Sequence, residues 1–194
     1  MSTAVQNASS PSMTFPEILL TRIFSEDAQQ EIGPARLERN RVVLRAKDVA
    51  NGAGQPFDTK PYRDVIISGE LELVEGNAGT AYGIFFRQTS RDRYLLWTLT
   101  EQRRFRVGAV DGIYTPIIDG LLAEDIELHL NAPNLLTIVS IGPSITFVLN
   151  NKIVTGITVD PRYSEGFLGA WLQPTDDEGA ALALDWVQIR SILP

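Results

Sequence analysis

Three short runs rich in β-branched and aromatic residues constrain this chain most: Ala81-Tyr82-Gly83-Ile84-Phe85-Phe86-Arg87, then Tyr94-Leu95-Leu96-Trp97-Thr98-Leu99, then Phe105-Arg106-Val107. Polar turns separate them, so they predict an antiparallel β-meander. Asp64 to Glu75 adds a further strand. Val65, Ile67, Leu71 and Leu73 fall on one parity and Ser68, Glu70 and Glu72 on the other, as in a strand with one wet face. Turn signals recur at short spacing from there to Arg190, which gives roughly a dozen strands, scarce helix and no internal repeat. The fold class is all-β, a two-sheet antiparallel sandwich.

Elsewhere the elements follow from local chemistry. Glu17 to Phe24 could be a strand or a short helix, and we read it as irregular structure ending in a strand. Ala35 to Arg45 has the pattern of a hairpin whose loop holds Asn40, a residue tolerant of positive φ. Asn51-Gly52-Ala53-Gly54-Gln55-Pro56 reads as a loop. Pro116 lacks an amide donor and sends Ile113 to Ile118 to a sheet edge. Leu121 to Leu130 follows neither period. Residues 1–13 are small, polar and Pro-containing and are expected to be a disordered tail; 14–194 form one domain, long enough to bury a substantial core.

Charge and cysteine content narrow the partners. With 17 Lys and Arg against 24 Asp and Glu, the net charge is −7, and a phosphate backbone needs a basic stripe to release counterions. Nucleic acid and anionic membranes are therefore not expected as partners. The chain has no Cys, which excludes disulfides, thiolate nucleophiles and Cys-ligated zinc without fixing the compartment. The N-terminus has neither a basic start nor an apolar stretch, so a cytoplasmic protein without membrane insertion is the simpler expectation.

The meander resembles one superfamily. Tyr82-Gly83-Ile84-Phe85-Phe86-Arg87, a polar turn, a Tyr-containing strand and a short Phe-x-Val strand are similar to the concanavalin A-like, laminin-G-like jelly rolls. Asn134-Leu135-Leu136-Thr137-Ile138, the hairpin Phe147 to Val154 around Asn150-Asn151, and Tyr163-Ser164-Glu165-Gly166-Phe167-Leu168-Gly169 extend the likeness, which spans about Ile18 to Ile189. Within the superfamily the chain looks most like bacterial domains grouped with 3-keto-disaccharide hydrolases, many of them glycan-associated. The resemblance implies a jelly roll and a ligand face on the concave sheet; its motifs are mainly structural and identify fold better than activity.

Two sets of residues are candidates for chemistry. Glu70-Leu71-Glu72-Leu73-Val74-Glu75 resembles the E-x-D-x-x-E signature of retaining β-glucanases built on this jelly roll, in which three carboxylates share one face. A strand puts Glu70 and Glu72 together, and Glu75 joins them only across a bulge. Glu72 also stands where that signature has Asp, and the extra methylene misplaces its carboxyl. Cross-strand ion pairing with Arg87, Arg104 or Arg106, at about 0.2–1 kcal/mol per pair, accounts for the same glutamates. The second set is Arg87, Tyr94, Trp97, Arg106 and Trp171, aromatic and charged residues of the kind that stack on a pyranose and fix its hydroxyls.

Other features are weaker. His129 is the lone histidine and lies near no nucleophile elbow, which makes a surface or edge role the expectation. Asp176-Asp177-Glu178-Gly179 and Asp119-Gly120 offer oxygens to Ca²⁺ but match no calcium-loop spacing, and no cofactor is expected. Trp186 lies in the expected closing strand, where a tryptophan is more often core than ligand contact. The sequence thus points to a non-catalytic, lectin-like module for an oligosaccharide or polysaccharide. The alternatives are a glycoside hydrolase acting through Glu70 and Glu75, and an interaction domain whose strand edges take a protein partner.

Overall fold

The computed structural model describes residues 18–23, 35–38, 41–47, 49 and 52–192. The expected tail at 1–13 and the hairpin loop at Asn40 lie outside them. The described residues form fourteen strands and a single 3-10 turn: β1 (Ile18–Ile23), β2 (Ala35–Glu38), β3 (Arg41–Ala46), β4 (Ala53–Pro56), β5 (Val65–Glu75), β6 (Ala81–Ser90), β7 (Arg93–Leu99), β8 (Arg104–Asp111), β9 (Ile113–Leu121), β10 (Asn134–Ile141), β11 (Ser144–Leu149), β12 (Lys152–Thr158), β13 (Phe167–Gln173) and β14 (Ala180–Ser191), with the turn at Pro161–Tyr163. Every pairing is antiparallel.

The strands make two sheets. One is eight-stranded, ordered β12-β11-β10-β5-β14-β3-β2, with β1 pairing β14 beyond the end of β3; the other is six-stranded, ordered β4-β13-β6-β7-β8-β9. Alternation along each strand sends one parity between the sheets. Tyr82, Ile84, Phe86, Leu95, Trp97, Leu99 and Val107 from the smaller sheet meet Ile67, Leu71, Leu136, Ile138, Phe147 and Leu184 from the larger. Trp97 lies 5.2 Å from Phe147 between ring centroids, and Phe86 lies 5.9 Å from Phe147. These buried aromatic contacts lock the two layers at their centre.

Turn chemistry sets the hairpins. Asn150 and Asn151, at φ 47° and 68°, make the two-residue turn between β11 and β12 that needs positive φ twice. Asn150 also accepts from Leu135 N at 2.8 Å and donates to Asn134 Oδ1 at 2.9 Å, tying the turn to the start of β10. Pro116 lies on β9, the edge of the six-stranded sheet, as its missing donor requires. Two expectations need correction. Residues 53–56, read as a loop because of their glycines, are strand β4, where Gly54 faces Trp171 on β13. Residues 18–23 are a full strand on β14.

Candidate functional site

The outer face of the six-stranded sheet follows from the register. One row across it runs Gly54, Trp171, Gly83, Thr98, Arg106 and Asp119; the next runs Pro56, Gly169, Phe85, Leu96, Gly108 and Pro116. Tyr94, Val110 and Tyr114 form a third. Trp171 and Arg106 are thus three strands apart, roughly 14 Å at the usual spacing, with only glycine and threonine between them.

Glycines let the aromatic rings lie down on this face. A Cβ at Gly54 would come 3.2 Å from Trp171 Cε3, one at Gly52 would come 2.7 Å from Trp171 Cζ2, and one at Gly169 would come 2.6 Å from Phe85 Cζ. Phe85 meets Tyr94 edge-on at 6.1 Å between centroids, and Tyr94 meets Trp171 at 5.9 Å and 42°. Phe85 is buried beneath the other two, while Tyr94 and Trp171 remain partly open to solvent. The cluster floors a cleft of about 800 Å³, within the usual range for small-molecule sites. Arg45 and Lys47 from the end of β3, and Gln88, Arg91 and Asp92 from the β6–β7 hairpin, border it. Burial, with the nearby Asp92 charge, pushes the Tyr94 hydroxyl pKa up, so it stays a neutral donor and acceptor at ordinary pH.

Of the five residues expected to bind ligand, Tyr94, Trp171 and Arg106 share this outer face, Tyr94 and Trp171 in the cleft and Arg106 on the far side. Arg106 pairs with Asp119 at 3.1 Å, and Arg104 pairs with the same carboxylate at 2.6 Å. Those two guanidinium groups hold the Asp119 carboxyl below its ordinary range, the hydrogen bond from Arg104 contributing most.

Arg87 and Trp97 are corrections to that set, because both point between the sheets. Trp97 is wholly buried by strand parity. Arg87 would face outward by parity, but its φ of 52° and a register shift after Phe86 turn it inward, where it is 3% exposed. It donates to Tyr163 O at 2.5 Å, Gly142 O at 2.5 Å and Ser140 Oγ at 2.6 Å. Phe85, Arg45, Lys47 and Arg91 escaped sequence reasoning. The alternating Gly52 and Gly54 was the available signal, since it marks a place where a large ring approaches the backbone.

The glutamate triad lies on the opposite face of the molecule, outside the eight-stranded sheet. Register shifts by one residue at Val74, between the pairs Leu73–Leu182 and Glu75–Ala181. This is the bulge that brings Glu75 onto the face of Glu70 and Glu72. The ion-pair partners differ from those expected: Arg41 bonds Glu72 at 2.5 Å and also Asp185, and Arg45 bonds Glu75 at 2.7 Å and Glu38 at 3.3 Å. Val43, Ala181 and Ala183 make a small apolar floor beneath this lattice. Arg87 and Arg106 take no part in it.

The remaining candidates are accounted for locally. His129 is 39% exposed, and its ring Nδ1 lies 3.0 Å from Pro133 O. Asp176 engages Asn77 and accepts from Glu178 N at 3.1 Å. No group of three or more metal-ligating side chains converges among the described residues.

Sheet order, layering and register define a concanavalin A-like jelly roll, and solved structures bear this out. The chain is similar to the carbohydrate binding module CBM66 from Bacillus subtilis, with a TM-score of 0.63, 15% identity, and coverage of 77% of this chain and 86% of that one. It is also similar to the laminarinase catalytic domain from Thermotoga maritima, with a TM-score of 0.66, 9% identity, and coverage of 92% and 99%. A β-1,3-1,4-glucanase (lichenase) from a mouse hindgut metagenome matches at a TM-score of 0.64 and 10% identity, over 89% and 99%. No protein-family model matches the chain, and no curated protein matches it by sequence.

Proposed function

We propose that the protein is a non-catalytic carbohydrate-binding module that holds its sugar in the Phe85–Tyr94–Trp171 cleft. The observation that carries this is an aromatic row laid on a glycine floor in an open cleft. A pyranose presents an apolar C–H face to such rings and hydroxyls to the polar groups around them. Gln88, Asp92 and the Tyr94 hydroxyl supply donors and acceptors at the border. The fold neighbours, one named a carbohydrate binding module, one a laminarinase catalytic domain and one a glucanase, support sugar as the ligand class.

Tryptophan fluorescence titrated with β-glucan, galactan and xylan oligosaccharides tests the reading. A saturable change with at least one of them, weakened about tenfold or more by Trp171→Ala, is expected, since an aromatic anchor of an interface is worth about 2 kcal/mol or more. Binding unchanged in a folded Trp171→Ala variant would sink it.

A second reading, hydrolysis through Glu70 and Glu75, draws support from the bulge at Val74. Against it stands Arg45, 2.7 Å from the Glu75 carboxylate. That bond already occupies one oxygen of the carboxylate that would have to reach the glycosidic oxygen. New reducing ends formed by the wild type and lost in Glu70→Gln would establish hydrolysis over binding.

A further inference from the structure

Most basic side chains among the described residues are committed. Arg41, Arg45, Arg93, Arg104, Arg106 and Arg162 pair with carboxylates, and Arg87 and Arg103 donate to carbonyl oxygens. Lys47 and Arg91 have no such bond among the described residues, are exposed, and both border the aromatic cleft. Arg36 and Lys60 also lack a carboxylate partner but lie outside its lining. Among the described residues Asp92 is the one carboxylate lining the cleft, and the third cation there, Arg45, is already matched by Glu38 and Glu75. Set against Asp92, the two unmatched cations leave the mouth of the cleft with one net positive charge among the described residues, a local reversal of sign in a chain of net charge −7. Such a reversal attracts anions and repels nothing that a neutral sugar carries.

We infer that the ligand of this cleft is an anionic glycan, with Tyr94 and Trp171 stacking on a sugar ring while Lys47 and Arg91 take the carboxylate or sulfate it bears. The inference rests on the carbohydrate-binding reading and adds the charge class of the ligand. Arg91 can meet a planar carboxylate with two parallel N–H donors, whereas Lys47 acts as a point charge. Both sit at an exposed rim, so their contribution is salt-sensitive.

The experiment titrates the full chain with oligosaccharides of equal length: oligogalacturonate, a sulfated galactan fragment and neutral galactan. Each is measured at low salt and at about 1 M salt, where charges are screened beyond about 3 Å. At low salt at least one acidic ligand is expected to bind about tenfold more tightly than the neutral one. High salt should erase that advantage, and so should the folded variant Lys47→Gln/Arg91→Gln. Which acidic ligand wins distinguishes a carboxylate from a sulfate site.

Equal affinity for acidic and neutral ligands, lost in Trp171→Ala, would overturn the charge inference and leave the aromatic site standing. An acidic preference that survives in the double variant would overturn the assignment to Lys47 and Arg91. Absence of binding by any ligand, or binding indifferent to Trp171→Ala, would bring down the carbohydrate reading as well.

Discussion

Arg87, 3% exposed, is a buried polar clamp whose removal should cost the fold. It bridges the layers: its own strand is β6 of the six-stranded sheet, while Ser140 is the penultimate residue of β10 in the eight-stranded sheet and Tyr163 closes the 3-10 turn. Its acceptors are two carbonyl oxygens and one hydroxyl, and no carboxylate bonds it among the described residues. Burial pushes its pKa down, and the neighbouring Asp64 charge partly restores it; a guanidinium nonetheless keeps its proton.

Arg87→Met keeps the stem and deletes the donors, which strands the carbonyls of Tyr163 and Gly142. Each buried unsatisfied group costs about 1–3 kcal/mol. Ser140 keeps its bond to Arg63 O at 3.3 Å, and deleting an imperfectly matched charge returns part of the loss. The net expectation is about 3 kcal/mol, a large share of the roughly 5–15 kcal/mol that a domain possesses. The backbone supplies an internal control. At a φ of 52°, Arg87→Gly should be about 1 kcal/mol more stable than Arg87→Ala. Urea unfolding followed by tryptophan fluorescence measures all three variants. An Arg87→Met variant within about 0.5 kcal/mol of wild type, the scatter of ordinary surface substitutions, would refute the account of Arg87 as the clamp between the sheets.

Three further outcomes follow from the same geometry. Trp97→Phe should cost much less than the roughly 3–5 kcal/mol of Trp97→Ala, because Trp97 Nε1 is buried without a partner and phenylalanine removes that orphan donor; thermal melts giving equal losses would contradict this. Gly169→Ala should destabilise by about 1–3 kcal/mol through overpacking and weaken sugar binding, because the new methyl meets the Gln55 carbonyl oxygen first and then the Phe85 ring at 2.6 Å; unchanged urea midpoints would contradict this close approach of β4, β13 and Phe85. The depressed pKa of Asp119, due first to Arg104, makes its stabilisation present above the ordinary carboxylate value of 3.8 and lost as pH falls through its folded value. Stability gaps between wild type and Asp119→Asn should therefore narrow as pH falls from 7 to below 3.8, and a constant gap would exclude the ion pair as their cause.

The meander was legible because hydrophobic alternation and turn residues act locally, and Tyr82 to Val107 obeys both. The edge position of β9 was legible for the same reason, from one missing amide at Pro116. Strand β4 was hidden because its glycines, which suggest a loop in isolation, serve an aromatic neighbour more than a hundred residues away at Trp171. Arg87 misled for a different reason. Parity sets side-chain direction only while the backbone stays extended, and a single left-handed residue reverses it. Trp97 was ambiguous only through the phase of β7, which Tyr82 and Leu99, paired and both buried, fix in three dimensions. Lys47 and Arg91 carry no sequence signal, since what marks them is that no ion pair engages them among the described residues.

Backbone and indole amide shifts recorded while oligosaccharide is titrated into isotopically labelled protein test the central claim most directly, because they report which face of the sandwich is touched. The account predicts shifts concentrated at Gly54, Phe85, Tyr94, Arg91 and the Trp171 indole, with the face of Glu70, Glu72 and Glu75 silent. Shifts centred on those three glutamates, with the Trp171 indole unmoved, would contradict it.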